Sequence, residues 1–336
     1  MIGGMEFLDA AGLGRNEWWR YALGLGLIVF ATFFVGGVPL AVGVMVVTLD
    51  GRPATDVNRT NGALIGVSPA LSLALTLLPF VMAFCAILLT VRLIHRRPAS
   101  SLVAPGRPIR WGRVAQGFAA WFVAGAVISL VEAVIFPGRY SLTVDPGRLL
   151  PFAVVAILLF PIQSSSEELF FRGYLLQGLG RLTRNRLLLA AVTGLIFAGL
   201  HIENPEVGSE FWLVMAFYFV FGLALALISM RDNGLELALG VHAANNLFTA
   251  LFANFKGSAV ESPSIFTAAG FTPWYSLVST LIGLAVLYLV FFGRRLRSDS
   301  VRQTGHRRLQ PGGRRHGGRV AGPTLCERDF APGNHR

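Results

Sequence analysis

The sequence is poor in charged residues and in cysteine, and each shortage excludes a class of protein. Only 14% of the 336 residues are Asp, Glu, Lys or Arg, whereas a soluble globular domain carries about 25%. The two cysteines, Cys85 and Cys326, cannot build a disulfide framework, and neither has the spacing of a metal ligand. The N-terminus lacks a basic start followed by a short apolar run and a cleavage site, so we expect no signal peptide.

Apolar residues take the place of the missing charge. They make up 54% of the chain and occur in repeated runs that approach or exceed the roughly 20 residues of a membrane-spanning helix. The sequence therefore predicts an all-α fold, a polytopic transmembrane helical bundle of about eight spans. The expected spans are residues 21–49, 70–94, 114–136, 149–177, 187–203, 210–230, 235–254 and 274–293.

Arginine is distributed unevenly between the connections of these spans. The 95–113 connection holds five arginines and the 178–186 connection holds three, whereas the 204–209 and 255–273 connections hold none. Cytoplasmic connections of membrane proteins are enriched in Lys and Arg. We therefore expect a multi-pass protein of the cell membrane, with both termini and the Arg-rich connections in the cytoplasm.

The predicted organisation has four parts. Three N-terminal spans occupy residues 1–148, a core of four spans occupies 149–255, and the last span with its preceding loop occupies 256–293. Residues 294–336 form a basic tail with eleven arginines and three acidic residues, which we expect to be disordered. Such a tail suggests anionic headgroups or nucleic acid as partners. A solvated cytoplasmic tail is the simpler interpretation, so we expect the bilayer but no nucleic acid as a partner.

Charged residues occur inside one apolar run, at Glu167, Glu168 and Arg172. Burying a charge in a membrane costs about 2.5–3.5 kcal/mol per group on insertion scales. Glu168 and Arg172 are four residues apart, so they share a helix face and an ion pair between them lowers this cost. Glu167 is less well placed for the pair, and we expect it to be available for chemistry. The opposite assignment stays open, because the long Arg172 side chain reaches either glutamate.

Two later spans also carry polar residues. Phe197 and His201 are four residues apart on one predicted span, and His242 and Asn246 are four apart on another. Asn245 points about 100° away from Asn246, and we expect it to bond a neighbouring helix. Depths estimated at about 1.5 Å per residue allow these groups and Glu167 to meet in one inward-facing cavity, in the cytoplasmic half of the bilayer.

The three motifs together resemble a known family. Glu167-Glu168-x-x-x-Arg172, Phe197-x-x-x-His201 and His242-x-x-x-Asn246, in this order on membrane helices, are similar to the motifs of the CPBP intramembrane proteases. These are the relatives of the type II CAAX prenyl endopeptidase and of bacteriocin-processing and immunity proteins. The resemblance covers about residues 150–255, and the order and spacing show no departure from the family pattern.

The resemblance implies a role for each motif residue. Glu167 would be the general base that activates a water, and His201 would hold or polarise that water. His242 and Asn246 would donate hydrogen bonds to the oxyanion of the tetrahedral intermediate. Glu168, Arg172 and Phe197 would support the site. Peptide hydrolysis needs a base, an activated water and oxyanion donors, so the chemistry of these residue types agrees with the resemblance.

We therefore predict an intramembrane endopeptidase that hydrolyses a membrane-associated peptide or protein terminus without a metal cofactor. A catalytic zinc ion held by Glu167, His201 and His242 is the alternative, because one Glu and two His match a zinc site with an open position. Two other functions stay open: a proton-coupled transporter, and a non-catalytic scaffold or immunity protein of the same fold. The absence of an internal repeat disfavours the transporter.

Overall fold

The computed structural model describes residues 5–50, 56–58, 64–208 and 210–308, with residues 294–308 described as helical backbone only. Within this part the chain is mostly helical. The α-helices are α1 Trp18–Val29, α2 Gly37–Leu49, α3 Pro69–Leu89, α4 Trp111–Ile135, α5 Pro146–Glu168, α6 Leu176–Leu179, α7 Arg186–Gly199, α8 Phe211–Asp232, α9 Glu236–Leu251 and α10 Pro273–Arg308.

Three π-helical segments join some of these helices into longer rods. Phe30–Val35 links α1 to α2, Thr90–Ile94 extends α3, and Leu169–Leu175 links α5 to α6. Short 3-10 turns lie at Phe7–Leu13, Ala99–Leu102 and Pro205–Gly208. The rods formed in this way span Trp18–Leu49, Pro69–Ile94 and Pro146–Leu179.

In the described part of the chain, six helices are long and apolar enough to cross a membrane, fewer than the eight predicted spans. They are Trp18–Leu49, Pro69–Ile94, Trp111–Ile135, Pro146–Leu179, Phe211–Asp232 and Pro273–Gly293. Each coincides with a predicted span within a few residues, which confirms a multi-pass membrane protein. Their large apolar side chains are widely exposed, as Phe33 and Val134 show, and lipid is the solvent that suits such a surface.

The other two predicted spans, 187–203 and 235–254, form the shorter helices α7 and α9. Helix α7 ends at Gly199 and α9 at Leu251, so at about 1.5 Å per residue neither reaches the roughly 30 Å of a hydrocarbon core. Helix α9 is apolar because it is packed in protein: Leu237, Ala238 and Val241 are fully buried. Apolar content alone does not separate such a helix from a lipid-facing span.

Small residues allow the inner helices to approach closely. An added Cβ at Gly240 of α9 would collide with the Val114 carbonyl oxygen of α4 and lie 2.6 Å from the Phe118 nitrogen. An added Cβ at Gly222 of α8 would lie 3.1 Å from the Gly194 Cα of α7. Glycine at such crossings is typical of membrane helix packing. These contacts hold α4, α7, α8 and α9 around the polar residues described below.

Short strands make the all-α prediction wrong in detail. Strands β1 Asp56–Val57 and β2 Leu64–Ile65 pair antiparallel. Strands β3 Tyr140–Leu142, β4 Ala253–Phe255 and β5 Phe266–Ala268 form a three-stranded sheet in the order β3-β5-β4. Four of these strands lie in connections and β4 begins at the last two residues of the predicted span 235–254, so the helical periodicity of the spans contains no signal for them.

The chain divides into two compact units, residues 1–289 and residues 290–336. All the helices up to α9 and all five described strands belong to the first unit. In the second unit α10 continues to Arg308, beyond the predicted end of the last span at 293. Residues 309–336 and Cys326 lie outside the described residues, and the disorder of the tail stays a prediction.

Candidate active site

The long helix formed by α5 and α6 changes from α-helical to π-helical geometry at its charged residues. Glu167 and Glu168 end α5, and the π-helical turn Leu169–Leu175 that follows contains Arg172. Single π turns within α-helices occur often at functional sites. The preceding serines bond the backbone of their own helix: Ser164 Oγ donates to Phe160 O at 2.9 Å, and Ser166 Oγ donates to Gln163 O at 2.7 Å. The hydroxyl groups of both serines are therefore bonded within their own helix.

Glu168 and Arg172 form the predicted ion pair, and both are fully buried. Arg172 Nη1 donates to Glu168 Oε1 at 2.9 Å, and Arg172 Nη2 donates to the Gly222 carbonyl oxygen of α8 at 3.0 Å. The guanidinium carbon also lies 4.8 Å from the centre of the Phe197 ring of α7. Arg172 therefore connects three helices through one side chain.

His242 of α9 lies between the two glutamates. Its Nδ1 lies 2.8 Å from Glu168 Oε1, and its Nε2 lies 3.5 Å from Glu167 Oε2. The Phe197 and Phe221 rings flank the imidazole in T-shaped pairs, with ring centres 6.1 and 5.6 Å away. Glu168 thereby fixes the orientation of the ring and leaves Nε2 directed toward Glu167.

Gln163 is a site residue that the sequence analysis missed. Its Nε2 donates to Glu167 Oε1 at 2.6 Å, and its Oε1 accepts from Asn246 Nδ2 at 2.7 Å. Gln163 is buried and lies one helical turn before Glu167. Gln163 and Glu167 are four residues apart, and this spacing could have predicted their contact, as it predicted the Glu168–Arg172 pair. Gln163 joins Glu167 to Asn246 across α5 and α9.

His201 lies just beyond α7, in the turn after Gly199. Its Nδ1 donates to Phe197 O at 2.7 Å, which leaves Nε2 for other partners. The ring stacks on Tyr218 of α8 with ring centres 4.2 Å apart. Tyr218 was also missed; its hydroxyl donates to Glu206 Oε1 at 2.5 Å and accepts from Asn204 Nδ2 at 2.8 Å. The prediction that Phe197 lies beside His201 is confirmed by ring centres 4.4 Å apart.

Asn245 bonds a neighbouring helix, as predicted. Its Oδ1 accepts from Trp121 Nε1 of α4 at 3.2 Å, and its Nδ2 donates to Asn246 Oδ1 at 3.2 Å. Asn245 therefore ties α4 to α9 and orients the amide of Asn246.

The predicted catalytic residues share one cavity of about 1150 Å³. Glu167, His201, His242 and Asn246 all line it, with Phe197 beside them. The walls also include residues from the 136–145, 200–210 and 252–272 connections. Among the described residues, none of the lining comes from residues 95–110 or 180–185 of the Arg-rich connections. The cavity is also lined by Leu25, Ile87 and Leu175 of the long helices, and the expectation of an inward-facing cavity stays a prediction.

The fit of a zinc ion can be judged from the donors. Within the described ranges, no group of three or more His, Cys, Asp or Glu side chains is arranged to hold a metal ion. Glu167 and His242 approach each other, and the bonds of His242 Nδ1 to Glu168 and of His201 Nδ1 to a backbone oxygen leave both Nε2 atoms available. Among the described residues Glu167, His201 and His242 are therefore not assembled as a three-ligand zinc site, and we derive no step through a metal.

Comparison with known proteins identifies two similarities. A family model described as type II CAAX prenyl endopeptidase Rce1-like matches residues 147–248. The chain is also 32% identical over 282 residues to a protein of Bacillus subtilis (strain 168) with the name Uncharacterized protein YyaK. That alignment covers 83% of this chain and 92% of the relative. The residues of the site from Gln163 to Asn246 all lie inside the family match.

Proposed function

Because the chain belongs to the Rce1-like type II CAAX prenyl endopeptidase family, we propose that it is an intramembrane endopeptidase that uses Glu167 to activate water. The observation that supports this best is the approach of Glu167 Oε2 to His242 Nε2 at 3.5 Å, inside a cavity that most of the described helices and three connections line. The substrate is a membrane-associated peptide or protein terminus, because the site lies among helices apolar enough to cross a membrane.

In the proposed reaction Glu167 accepts a proton from a water molecule as that water attacks the carbonyl carbon of the scissile peptide bond. The carbonyl oxygen becomes an oxyanion, which Asn246 Nδ2 and His242 Nε2 stabilise by hydrogen bonds. When the imidazole is doubly protonated both nitrogens donate, Nδ1 to Glu168 and Nε2 into the cavity. The C–N bond then breaks, and Glu167 returns the proton to the leaving amine. His201 holds the attacking water through its Nε2.

The buried pair Glu168–Arg172 has a positioning role in this proposal. Glu168 accepts from both Arg172 and His242, so it sets the direction of the imidazole. Gln163 acts similarly on the other side, since it contacts Glu167 and Asn246 at once. A base and an oxyanion donor must be held within a fraction of an ångström for efficient catalysis.

We also propose the membrane arrangement that the arginine distribution indicates. The six long helices cross the cell membrane, the shorter α7 and α9 pass between its two sides among them, and both termini are cytoplasmic; the contact of Asp232 at the end of α8 with Arg110 and Arg113 at the start of α4 agrees with this order. A helix shorter than the hydrocarbon core is stable at membrane depth where protein surrounds it, because its terminal backbone groups are then not exposed to lipid. The buried face of α9 agrees with such a position.

The proposal is tested by cleavage of a library of lipid-anchored fluorogenic peptides by purified protein in detergent. We expect cleavage by wild type that a strong chelator does not reduce, and no cleavage by Glu167→Gln. Glu210→Gln is the matched control: it changes an exposed glutamate at the start of α8 that does not line the cavity, and we expect wild-type cleavage. Loss of cleavage on chelation, restored by zinc, would replace the metal-free mechanism with zinc catalysis.

A further inference from the structure

Five side chains of the site form one continuous series of hydrogen bonds. Trp121 Nε1 donates to Asn245 Oδ1 at 3.2 Å, and Asn245 Nδ2 donates to Asn246 Oδ1 at 3.2 Å. Asn246 Nδ2 donates to Gln163 Oε1 at 2.7 Å, and Gln163 Nε2 donates to Glu167 Oε1 at 2.6 Å. We call these five side chains the amide network. Every bond in it points the same way, from α4 through α9 to α5.

Close packing of α4 on α9 brings the indole to the network. Trp121 lies four residues after Gly117 and four before Gly125, so the three share one face of α4. An added Cβ at Gly117 would collide with the Leu237 carbonyl oxygen of α9, and one at Gly125 would lie 3.0 Å from the Phe248 ring. The two glycines let the helices approach, and the indole between them is only 5% exposed.

The chemistry of its two ends fixes the direction of the amide network. The indole N–H of Trp121 can only donate a hydrogen bond, and an ionised Glu167 can only accept one. Each of the three amides between them has one accepting oxygen and one donating nitrogen. Turning a single amide by 180° would place oxygen against oxygen and nitrogen against nitrogen. The three amides therefore share one direction, and they can reverse only together.

The proposed reaction weakens one of these two ends. When Glu167 accepts a proton from water, its carboxyl group can donate as well as accept, so it no longer imposes a direction. The oxyanion forms at this same step and needs the second N–H of Asn246. Reversed amides would place Asn246 Oδ1 where the oxyanion needs a donor. The indole of Trp121 keeps its N–H throughout the reaction and still requires an oxygen from Asn245.

We propose, on the basis of the function proposed above, that Trp121 and Asn245 are positioning residues for catalysis. They hold the amides of Asn246 and Gln163 in the donating direction while Glu167 carries the proton of the attacking water. Both act through Asn246 and touch none of the reacting atoms. The four bonds of one direction, and an indole that can only donate at their start, are the observations that carry this role.

A loss of packing at Trp121 must be separated from the loss of its hydrogen bond. The indole also packs beside the Phe221 ring, with ring centres 5.9 Å apart. A double-mutant cycle makes the separation, because an effect that passes through Asn245 disappears once Asn245 has been replaced, whereas an independent packing effect stays.

The test measures kcat and KM for one cleaved peptide in wild type, Trp121→Phe, Asn245→Leu and the double variant. Phenylalanine removes the indole N–H, and leucine replaces the amide by an apolar group of similar size. Each variant is scored only if its yield and gel-filtration profile match wild type, and Asn245→Ala replaces Asn245→Leu if leucine prevents folding. Trp212→Phe is the matched control: it removes the same atoms from an exposed side chain outside the cavity lining, and we expect wild-type kinetics.

We expect each single variant to lower kcat by about two- to tenfold, the factor that corresponds to one ordinary hydrogen bond. KM should stay unchanged, because the lost stabilisation belongs to the transition state. The double variant should have the kcat of Asn245→Leu alone. Losses that multiply in the double variant would overturn the proposal, because independent packing effects combine in that way. A rise in KM at unchanged kcat would overturn it too, because it indicates contact with the substrate.

Glu167→Gln, measured beside these variants, separates the proposal from the function on which it rests. Wild-type cleavage by Glu167→Gln would refute both. An inactive Glu167→Gln beside a Trp121→Phe with wild-type kcat would overturn the positioning role alone.

A second measurement does not depend on cleavage. In protein labelled with ¹⁵N-tryptophan, the indole N–H of Trp121 is the NMR signal that is missing from Trp121→Phe. A hydrogen bond moves such a proton downfield, so we expect the signal to move upfield in Asn245→Leu and to stay in place in Trp212→Phe. The same chemical shift in wild type and Asn245→Leu would overturn the bond between indole and amide, and with it the proposal.

Discussion

Removing Arg172 should destabilise the protein far more than removing an exposed arginine. Arg172 is fully buried, and its guanidinium donates to Glu168 and to the Gly222 carbonyl oxygen. In Arg172→Ala the carboxylate of Glu168 stays buried with His242 as its remaining bonded partner among the described residues. Breaking a buried ion pair by removing one partner costs about 3–5 kcal/mol. We therefore expect the free energy of unfolding to fall by about that amount.

An exposed arginine provides the matched control. Arg184 pairs with Asp9 at 2.8 Å, and both side chains are about half exposed. Such surface pairs contribute about 0–1 kcal/mol, so Arg184→Ala should shift the stability little. The contrast between the two alanine variants separates the effect of burial from the effect of charge.

The assay is unfolding of purified protein in mixed micelles of increasing SDS content, followed by tryptophan fluorescence. A double-mutant cycle with Glu168→Gln and Arg172→Ala then measures the pair itself. We expect the double variant to be more stable than the sum of the two single losses predicts. Each single variant leaves one charged side chain buried without its partner, and the double variant has neither charge. Additive losses, or an Arg172→Ala variant as stable as Arg184→Ala, would refute the bracing role.

Two further predictions concern packing and positioning. Gln163→Leu should lower the rate of cleavage while leaving the protein folded, because Glu167 and Asn246 lose their shared partner; cleavage rates and gel filtration of the variant check this, and an unchanged rate would contradict the role. Gly240→Ala should destabilise the protein by about 1–3 kcal/mol through overpacking, because its Cβ collides with the Val114 backbone; unfolding in the same SDS assay checks it, and Gly199→Ala, whose Cβ meets open space, is the matched control.

Much of the site could be predicted from the sequence, because its residues follow the helical period. Three predictions from the spacing along one helix are confirmed. They are the Glu168–Arg172 ion pair, the contact of Phe197 with His201, and the hydrogen bond of Asn245 to a neighbouring helix. Contacts between helices carry no such signal. The approach of His242 to Glu167 and Glu168 depends on how closely α9 packs, and sequence spacing within α9 says nothing about that distance.

The errors in the fold have the same origin. Helix α9 has the hydropathy of a membrane span, but its apolar residues contact protein. The strands around Tyr140 and Phe266 pair residues far apart in sequence. The wall of the cavity likewise depends on how three connections fold over the helix ends. Each of these features is set by contacts between distant segments, which a single sequence read by local periodicity does not contain.

The central claim is that Glu167 is the base for hydrolysis of a peptide bond. The most direct measurement compares wild type and Glu167→Gln for cleavage of one identified peptide bond, at equal amounts of folded protein. A carboxylate accepts the proton of water and an amide does not, so the account predicts a fall in rate of about 10²–10⁴-fold. Glu167→Gln that cleaves at the wild-type rate would contradict it, whatever the substrate.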